Sequence, residues 1–223
     1  MRHSVRALVV LALAGGVAPA AAQNPGLPVY NLGVPRGIGL YGDVGFPNAA
    51  AGKGTAYGAT ARAGFGAIGV SATLSALNPK GPAGSDVSVG GTLNYKLLGG
   101  PLVPLSVTLQ GGVSYAKPGS GLLPNDEITA YHFPVGIGFA LVIPNPALAI
   151  HPWLAPRLDI QRISSTSGGS NTDTNFGLSG GLEFNLLNGF GLQAAYDRVF
   201  LKGAGDPSTF GLGAHYTFRV PGL

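Results

Sequence analysis

The sequence contains no cysteine, few charged residues and, after its first 22 positions, no long hydrophobic run. Without cysteine the chain has neither disulfides nor thiolate metal ligands. Asp, Glu, Lys and Arg make up 10% of the 223 residues, whereas about 25% is usual in soluble domains. A spanning helix needs about 20 consecutive apolar residues, so we predict no transmembrane helix in the mature chain.

The first 22 residues have the pattern of a secretory signal peptide. Arg2 and Arg6 precede an apolar run, and three alanines ending at Ala22 form a small-residue cleavage site. We expect cleavage after Ala22. The remaining chain has 11 basic and 9 acidic residues, a formal net charge of +2. This weak charge does not favour nucleic acid as a partner.

Between Gly37 and Phe218 the apolar residues recur at every second position, which is the period of a β-strand. We predict ten strands, at residues 37–46, 56–65, 66–77, 85–97, 104–115, 127–141, 148–163, 174–186, 189–200 and 210–218. The seventh segment departs most from a strand pattern, because Pro152 and Pro156 each remove a backbone donor. Eight strands are therefore the alternative.

The connections between these segments alternate in length. The first, third, fifth, seventh and ninth are longer and richer in polar residues, whereas the others are short turns. This rhythm is typical of an antiparallel up-and-down transmembrane β-barrel, in which short turns face the periplasm and long loops face outward. The even strand number places both ends of the barrel domain, residues 37–218, on the periplasmic side.

Aromatic residues indicate which face of each strand points outward. They concentrate near the two ends of the apolar face, whereas Ala, Val, Leu and Ile occupy its middle. Such a pair of aromatic girdles is typical of membrane barrels. The predicted outer girdle comprises Phe46, Tyr57, Tyr115, Tyr131, Phe133, Phe176, Tyr196, Phe200 and Phe210, and the predicted periplasmic girdle comprises Phe65, Tyr95, Phe139, Phe184, Phe190, Tyr216 and Phe218.

The opposite face is mostly Gly, Ser, Thr, Asn and Gln, with isolated charges. Charges enclosed in a narrow lumen are usually paired, because an unpaired buried charge costs several kcal/mol. We therefore interpret these residues as an internal salt-bridge and hydrogen-bond network rather than a substrate site. The predicted network comprises Asp43, Arg62, Lys96, Arg157, Asp159, Glu183, Asp197 and the inward His215.

The last strand carries the most specific resemblance to a known family. Phe210, Leu212, Tyr216 and Phe218 alternate along it, and the chain from about residue 37 to 218 resembles the small bacterial outer-membrane β-barrel proteins. The resemblance implies a location in the outer membrane, with its lipid as surroundings and with the barrel-insertion machinery and periplasmic chaperones as partners. It also implies that these four residues form the assembly signal.

Two short segments flank the predicted barrel. Residues 23–36 are expected to be a periplasmic amino-terminal linker. Residues 219–223 follow Phe218 as a short carboxyl-terminal tail, whereas in the family the aromatic residue is normally last.

The sequence offers little for catalysis, and we predict no cofactor, metal site or enzymatic activity. Its histidines, His3, His132, His151 and His215, lack ligand spacing. Ten-stranded outer-membrane proteases carry paired acidic residues and an Asp–His pair. Here Asp126 and Glu127 near His132 are a weak counterpart without a second acidic pair.

The expected function is therefore a structural or loop-presenting outer-membrane barrel with a largely filled lumen. The alternative is a porin-like narrow pore for ions or small solutes, and an outer-membrane hydrolase or a soluble periplasmic ligand-binding barrel is less favoured. The ligand of the outer loops is unknown.

Overall fold

The computed structural model describes residues 24–35, 37–80, 84–100, 103–118, 127–144, 148–166, 168–203 and 205–218. Ten long strands account for most of them. Their bounds are β1 Gly37–Pro47, β2 Gly54–Phe65, β3 Ile68–Pro79, β4 Asp86–Gly100, β5 Val103–Lys117, β6 Ile128–Leu141, β7 Leu148–Ser165, β8 Gly169–Leu186, β9 Phe190–Phe200 and β10 Ser208–Phe218. A two-residue strand, Ile143–Pro144, extends the edge of β7, and a 3-10 turn, Ala49–Ala51, follows β1.

Each strand pairs antiparallel with its neighbours in the chain, and β1 pairs with β10 to close the sheet. At this seam Ile38 lies opposite Phe218, and Phe46 lies opposite Phe210. The prediction of a ten-stranded up-and-down barrel is confirmed, and the eight-strand alternative is wrong. Among the described residues, no helix is long and apolar enough to cross a membrane.

The prolines of β7 are accommodated on one side of that strand. Pro156 lies where the β6–β7 ladder is interrupted, between the pair Gly136–Arg157 and the pair Phe139–Leu154. The ladder with β8 continues without a break from Leu148 to Ser165. Pro152 and Pro156 are four residues apart, and residues an even number apart in a strand direct their backbone N–H groups towards the same neighbour. Both prolines therefore lack a hydrogen-bond donor towards β6 only. A strand can therefore carry both prolines inside a closed sheet.

The barrel has two distinct ends. The turn end carries the connections β2–β3, β4–β5, β6–β7 and β8–β9, and the loop end carries the other five. In the described part of the loop end, the hairpin of β7 and β8 has the longest strands, each of 18 residues, where about 9 to 11 cross a bilayer. Residues 164–173, which the predicted strand bounds leave as the seventh connection, are mostly paired strand, with Ser165 opposite Gly169.

The outward face is apolar over the whole barrel wall. Its aromatic residues lie near the two ends, as the alternation predicts, and most of its large side chains are substantially exposed. At the turn end Tyr216 makes edge-to-face contacts with Phe190 and Phe218, each with ring centroids 4.7 Å apart. At the loop end Phe176 stacks on Phe200 at 5.8 Å.

The seam strand gives a direct test of the assembly signal. Phe218 is exposed on the outward face at the turn end and packs on Tyr216. We expect Phe218→Ala to lower the folded fraction recovered in membranes several-fold, because it removes the terminal aromatic of the predicted signal. Deletion of residues 219–223, the control, should leave recovery unchanged. Heat-modifiable gel migration measures both, and the reverse ranking would mean that the signal lies in the tail.

Candidate functional site

The lumen contains a segment of the chain itself. Residues 24–35, here called the amino-terminal segment, lie inside the barrel, where Leu27 packs against Ala56 and Leu77 near the loop end. Further along, the Gly33 carbonyl accepts a hydrogen bond from Arg62 Nη2 at 3.0 Å near the turn end. The segment therefore runs down the lumen from the loop end to the turn end, where β1 begins.

Inward glycines make room for this segment. A Cβ built on Gly45 would collide with the carbonyl oxygen of Gly26, and one on Gly64 would collide with that of Pro35. Any side chain at these wall positions would displace the segment. The small inward lining predicted from the sequence thus accommodates peptide rather than open water.

The segment is held by packing and a few hydrogen bonds. Leu27 and Val29 are buried, and the Tyr30 ring lies 6.1 Å from that of Trp153. The Tyr30 carbonyl accepts a hydrogen bond of 2.9 Å from Gln110 Nε2. The Asn31 side-chain amide is buried without a partner among the described residues. Apolar contacts and hydrogen bonds to the wall together hold the segment.

This position differs from the prediction for residues 23–36, which placed them outside the barrel as a periplasmic linker. Leu27, Val29 and Asn31 are 3%, 2% and 1% exposed, so the described part of the stretch is buried. The twelve residues are rich in apolar side chains but include three prolines and follow no regular period. The sequence therefore predicts neither a helix nor a strand here.

Three of the predicted network charges, Arg157, Asp159 and Asp197, form a tight cluster in the middle of the lumen. Arg157 donates to both carboxylate oxygens of Asp197, through Nη1 at 2.6 Å and Nη2 at 3.0 Å. Its Nε and Nη2 also donate to Asp159 Oδ2, at 3.3 and 3.2 Å. His132 Nδ1 lies 3.6 Å from Asp159 Oδ1, and Gln161 contacts the same imidazole. The result is a buried, charge-dense crosslink between β6, β7 and β9.

A second cluster lies nearer the turn end and is centred on Glu183. Its Oε2 accepts a hydrogen bond of 2.9 Å from Asn185 Nδ2 and lies 3.1 Å from His151 Nδ1. His215 Nε2 lies 3.7 Å from Glu183 Oε1, and the imidazole stacks on Tyr41 with centroids 4.6 Å apart. This cluster joins β1, β7, β8 and β10.

The other predicted network residues have separate surroundings. Asp43 Oδ1 accepts a hydrogen bond of 2.6 Å from Gln193 Nε2. Arg62 is 7% exposed and lies over the Tyr41 ring, whereas Lys96 is half-buried. The structure thus brings together Arg157 with two aspartates, and Glu183 with His215, rather than all eight residues. Sequence reasoning missed His151, Asn185, Gln161 and Gln193, which also lie on inward positions.

Described residues line two cavities beside the amino-terminal segment. A small one of about 40 Å³ lies near Tyr30, Asp43 and Gln193. A larger one of about 400 Å³, here called the turn-end cavity, is bounded by Leu32 and Pro35 of the segment and by the wall at the turn end. The lumen is therefore filled towards the loop end and hollow towards the turn end.

The residues proposed for a hydrolase are dispersed or buried. Asp126 lies outside the described residues, and the Glu127 carbonyl accepts a hydrogen bond from the Thr166 backbone. His132 is 1% exposed and faces Asp159, while Ser114 lies opposite it on β5 and is also buried. Among the described residues no group of three or more His, Asp or Glu side chains is arranged to hold a metal ion.

The outer connections are tied together by Asp206. Its Oδ1 accepts a hydrogen bond of 3.0 Å from the Leu201 backbone, and its Oδ2 accepts one of 2.6 Å from Arg198 Nη2. Its backbone carbonyl accepts from Asn48 Nδ2 at 2.9 Å. The hydrogen bond from Leu201, followed by that from Arg198, lowers the pKa of the Asp206 carboxyl below its usual value.

The lowered pKa of Asp206 predicts that the stability of this loop depends on pH. Because the pKa of Asp206 is lower in the folded loop, its stabilising contribution is present above the unfolded pKa and is lost as pH falls through the folded value. We expect Asp206→Asn to speed hydrogen exchange of the Leu201 amide at neutral pH, and the difference from wild type to vanish in acid. The control variant is Asn171→Asp, which changes an exposed residue of the neighbouring β7–β8 hairpin instead of Asp206. An equal difference at every pH would exclude the carboxylate as the cause.

Comparisons with known proteins find likeness in structure only. No family model and no curated protein matches the chain. Ail of Yersinia pestis is 18% identical, with 82% of this chain and 100% of that chain covered and a TM-score of 0.40. The β domain of the Bordetella autotransporter BrkA is 14% identical over 81% and 98%, with a TM-score of 0.49. The Escherichia coli outer-membrane protease OmpT is 10% identical over 82% and 94%, with a TM-score of 0.41.

The matched structures are bacterial outer-membrane barrels, and they include both non-enzymes and enzymes. Their identities are too low to transfer an activity to this chain.

Proposed function

We propose that the protein is an integral outer-membrane barrel with a structural or loop-presenting role and a lumen closed by its own amino-terminal segment. The observation that carries this proposal is the burial of Leu27, Val29 and Asn31 inside the barrel. Only about 40 Å³ remains beside Tyr30 and Asp43, which is space for a water molecule or two. A lumen filled in this way does not support steady flow of solute.

The outward face supports a membrane location. Leu74, Leu192 and Leu212 are 64%, 61% and 47% exposed, and a contiguous apolar surface of this kind in water would promote association. In lipid the same surface is matched to its surroundings, and the closed seam leaves no unpaired edge. The rival of a soluble periplasmic ligand-binding barrel requires the opposite faces.

The loop-presenting role rests on the loop end. The β7–β8 hairpin continues well beyond the girdle residue Phe176, and its residues 169–174 are exposed on both faces. Asn48 and Asp206 bind the first and last outer connections to each other. A rigid rim with one protruding hairpin suits the display of a surface outside the cell.

We also infer that the protein is not an enzyme. A hydrolase needs a nucleophile and base in reach of substrate. The exposed fractions of Ser114, His132 and Asp159 are 1%, 1% and 4%. The Asp159 carboxylate also accepts a hydrogen bond from Arg157. These side chains are therefore out of reach of a substrate and contact only other residues of the lumen.

Conductance tests the closed lumen. The mature chain, reconstituted in a planar bilayer, is expected to show no stepwise openings, because the amino-terminal segment occupies the path. Heat-modifiable migration of the same preparation verifies that the barrel is folded. Steady discrete openings of the folded mature chain would favour the narrow pore, for which the hollow turn end is the supporting observation. Recovery in the soluble periplasmic fraction would exclude both membrane functions.

A further inference from the structure

The turn-end cavity has the size and chemistry of a ligand site. Its volume of about 400 Å³ falls within the roughly 300–1,000 Å³ typical of small-molecule pockets. Leu32, Val34 and Val142 give it an apolar side. Its charged lining residues are Arg62, Lys96 and Glu183, with His151 beside Glu183.

The Arg62 guanidinium lacks a counterion. It is 7% exposed, and its Nη2 donates to the Gly33 carbonyl at 3.0 Å. Among the described residues no carboxylate oxygen lies within 4.0 Å of it. A guanidinium carries five N–H donors. The Gly33 carbonyl and the Tyr41 side chain engage Arg62, and both of these partners are neutral. By contrast, Arg157 in the same lumen is held by two carboxylates.

Lys96 brings a second cation to the same cavity. It is half-buried, and its ammonium forms no ion pair with any described residue. Lys96 lies opposite Thr108 in the β4–β5 ladder, and the Thr108 hydroxyl is within 3.5 Å of the Cβ position of Gly33. Arg62 also contacts Gly33, and both cations line the turn-end cavity together with Gly33.

Among the described residues that line the cavity, Glu183 is the one carboxylate, and it is already engaged. Glu183 accepts a hydrogen bond from Asn185 Nδ2 at 2.9 Å and lies against His151 at 3.1 Å. Its charge acts on Arg62 from beyond contact distance, and among the described residues neither Arg62 nor Lys96 has a carboxylate oxygen within 4.0 Å. A buried guanidinium without a carboxylate in contact is costly, and a bound anion would lower that cost.

We propose that the turn-end cavity binds a small organic anion. Its acidic group, a carboxylate or a phosphate monoester, accepts hydrogen bonds from Arg62 and Lys96. Guanidinium groups favour such oxyanions because their donors match both oxygens. The apolar body of the ligand lies against Leu32, Val34 and Val142. This site goes beyond the structural role and holds whether or not the barrel conducts.

Titration of the purified mature chain with hexanoate tests the site. The single tryptophan, Trp153, packs near Leu32 and Ala140, which line the cavity, so its fluorescence reports binding, with calorimetry as a second readout. We expect saturable binding that Arg62→Gln and Lys96→Gln each weaken about tenfold, because each removes a charge-assisted hydrogen bond. Lys117→Gln, at the loop end of β5, is the matched control and is expected to bind like wild type.

Comparison ligands separate charge from apolar contact. Hexyl phosphate in a parallel arm distinguishes the two acidic groups, and binding of either amphiphile with this variant pattern supports the site. Inorganic phosphate and hexanol are each expected to bind at least about tenfold more weakly than hexanoate, because each lacks one half of the recognition. Equal binding of hexanol, equal binding of inorganic phosphate, an equal loss in Lys117→Gln, or no binding of either amphiphile would each overturn the proposal. Heat-modifiable migration of every variant verifies that it is folded.

Discussion

Deletion of residues 24–35 is expected to convert a silent barrel into a conducting one. The deletion removes the only described peptide that lies along the lumen, and the wall it leaves is lined by glycines such as Gly45 and Gly64 and by polar side chains. Ten strands enclose more space than the eight whose side chains fill a barrel interior. We expect discrete conductance steps in a planar bilayer, against none for the mature chain.

A reversible lock provides the control for this deletion. The chain has no native cysteine, so a single designed disulfide has no competitor. A Cβ at Gly138 would lie 2.5 Å from Asn31 Cγ, so these two positions approach each other closely, and we choose Asn31→Cys with Gly138→Cys as the pair. The oxidised double variant should suppress any rare openings of the mature chain, and reduction should restore them.

The possible results distinguish three states of the lumen: closed by the amino-terminal segment, closed by wall side chains, or open. A folded deletion variant that stays silent would mean that wall side chains close the barrel without the amino-terminal segment. A mature chain that conducts as well as the deletion variant would mean that the segment does not occupy the lumen in the membrane. Urea midpoints complete the comparison, because loss of the contacts of Leu27 and Val29 should also lower the free energy of unfolding by several kcal/mol.

The strands were predictable because their signal is local. Every second residue of a segment such as β10 faces lipid, so the sequence alone shows the element and its faces. Pro152 and Pro156 made β7 ambiguous, because only the pairing on each side of the strand shows that both face β6. Strand ends beyond the girdles, as at Ser165 and Gly169, carry no alternation and were placed as loop.

The lumen was less predictable because its contacts join residues that are far apart in the chain. Arg157 and Asp197 are 40 positions apart, and Asp43 and Gln193 are 150 apart. Their meeting depends on strand register and on which residues share one height in the barrel, and neither follows from alternation. The amino-terminal segment was missed because it has no regular secondary structure, so only its burial reveals its place.

Removal of the Arg157 guanidinium is expected to cause the largest loss of stability among single substitutions in the barrel wall. Asp159 and Asp197 are 4% and 0% exposed, and Arg157 is the cation within 4.0 Å of both. Arg157→Met would leave two carboxylates facing each other without that partner. Breaking a buried ion pair in this way typically costs about 3–5 kcal/mol.

The measurement is unfolding by urea in detergent micelles, followed by the fluorescence of Trp153. Arg198→Met is the matched control, because Arg198 also pairs with an aspartate, Asp206, but is 47% exposed. An exposed pair contributes at most about 1 kcal/mol, so the control should unfold near the wild-type midpoint. Similar losses in both variants would mean that the lumen cluster is hydrated like the outer surface.

A neutral triple variant separates charge from packing. Arg157→Met combined with Asp159→Asn and Asp197→Asn removes the guanidinium together with both charges it compensates. If the loss in Arg157→Met comes from uncompensated carboxylates, the triple variant should recover most of it, because replacing a complete buried ion cluster is often neutral. If the loss comes from the packing of Arg157 over Gly177, where a Cβ would lie 2.7 Å from its Cζ, the triple variant should remain as unstable as the single one. Recovery would mean that the cluster contributes little net stability. Its role would then be to specify which strands contact each other across the lumen.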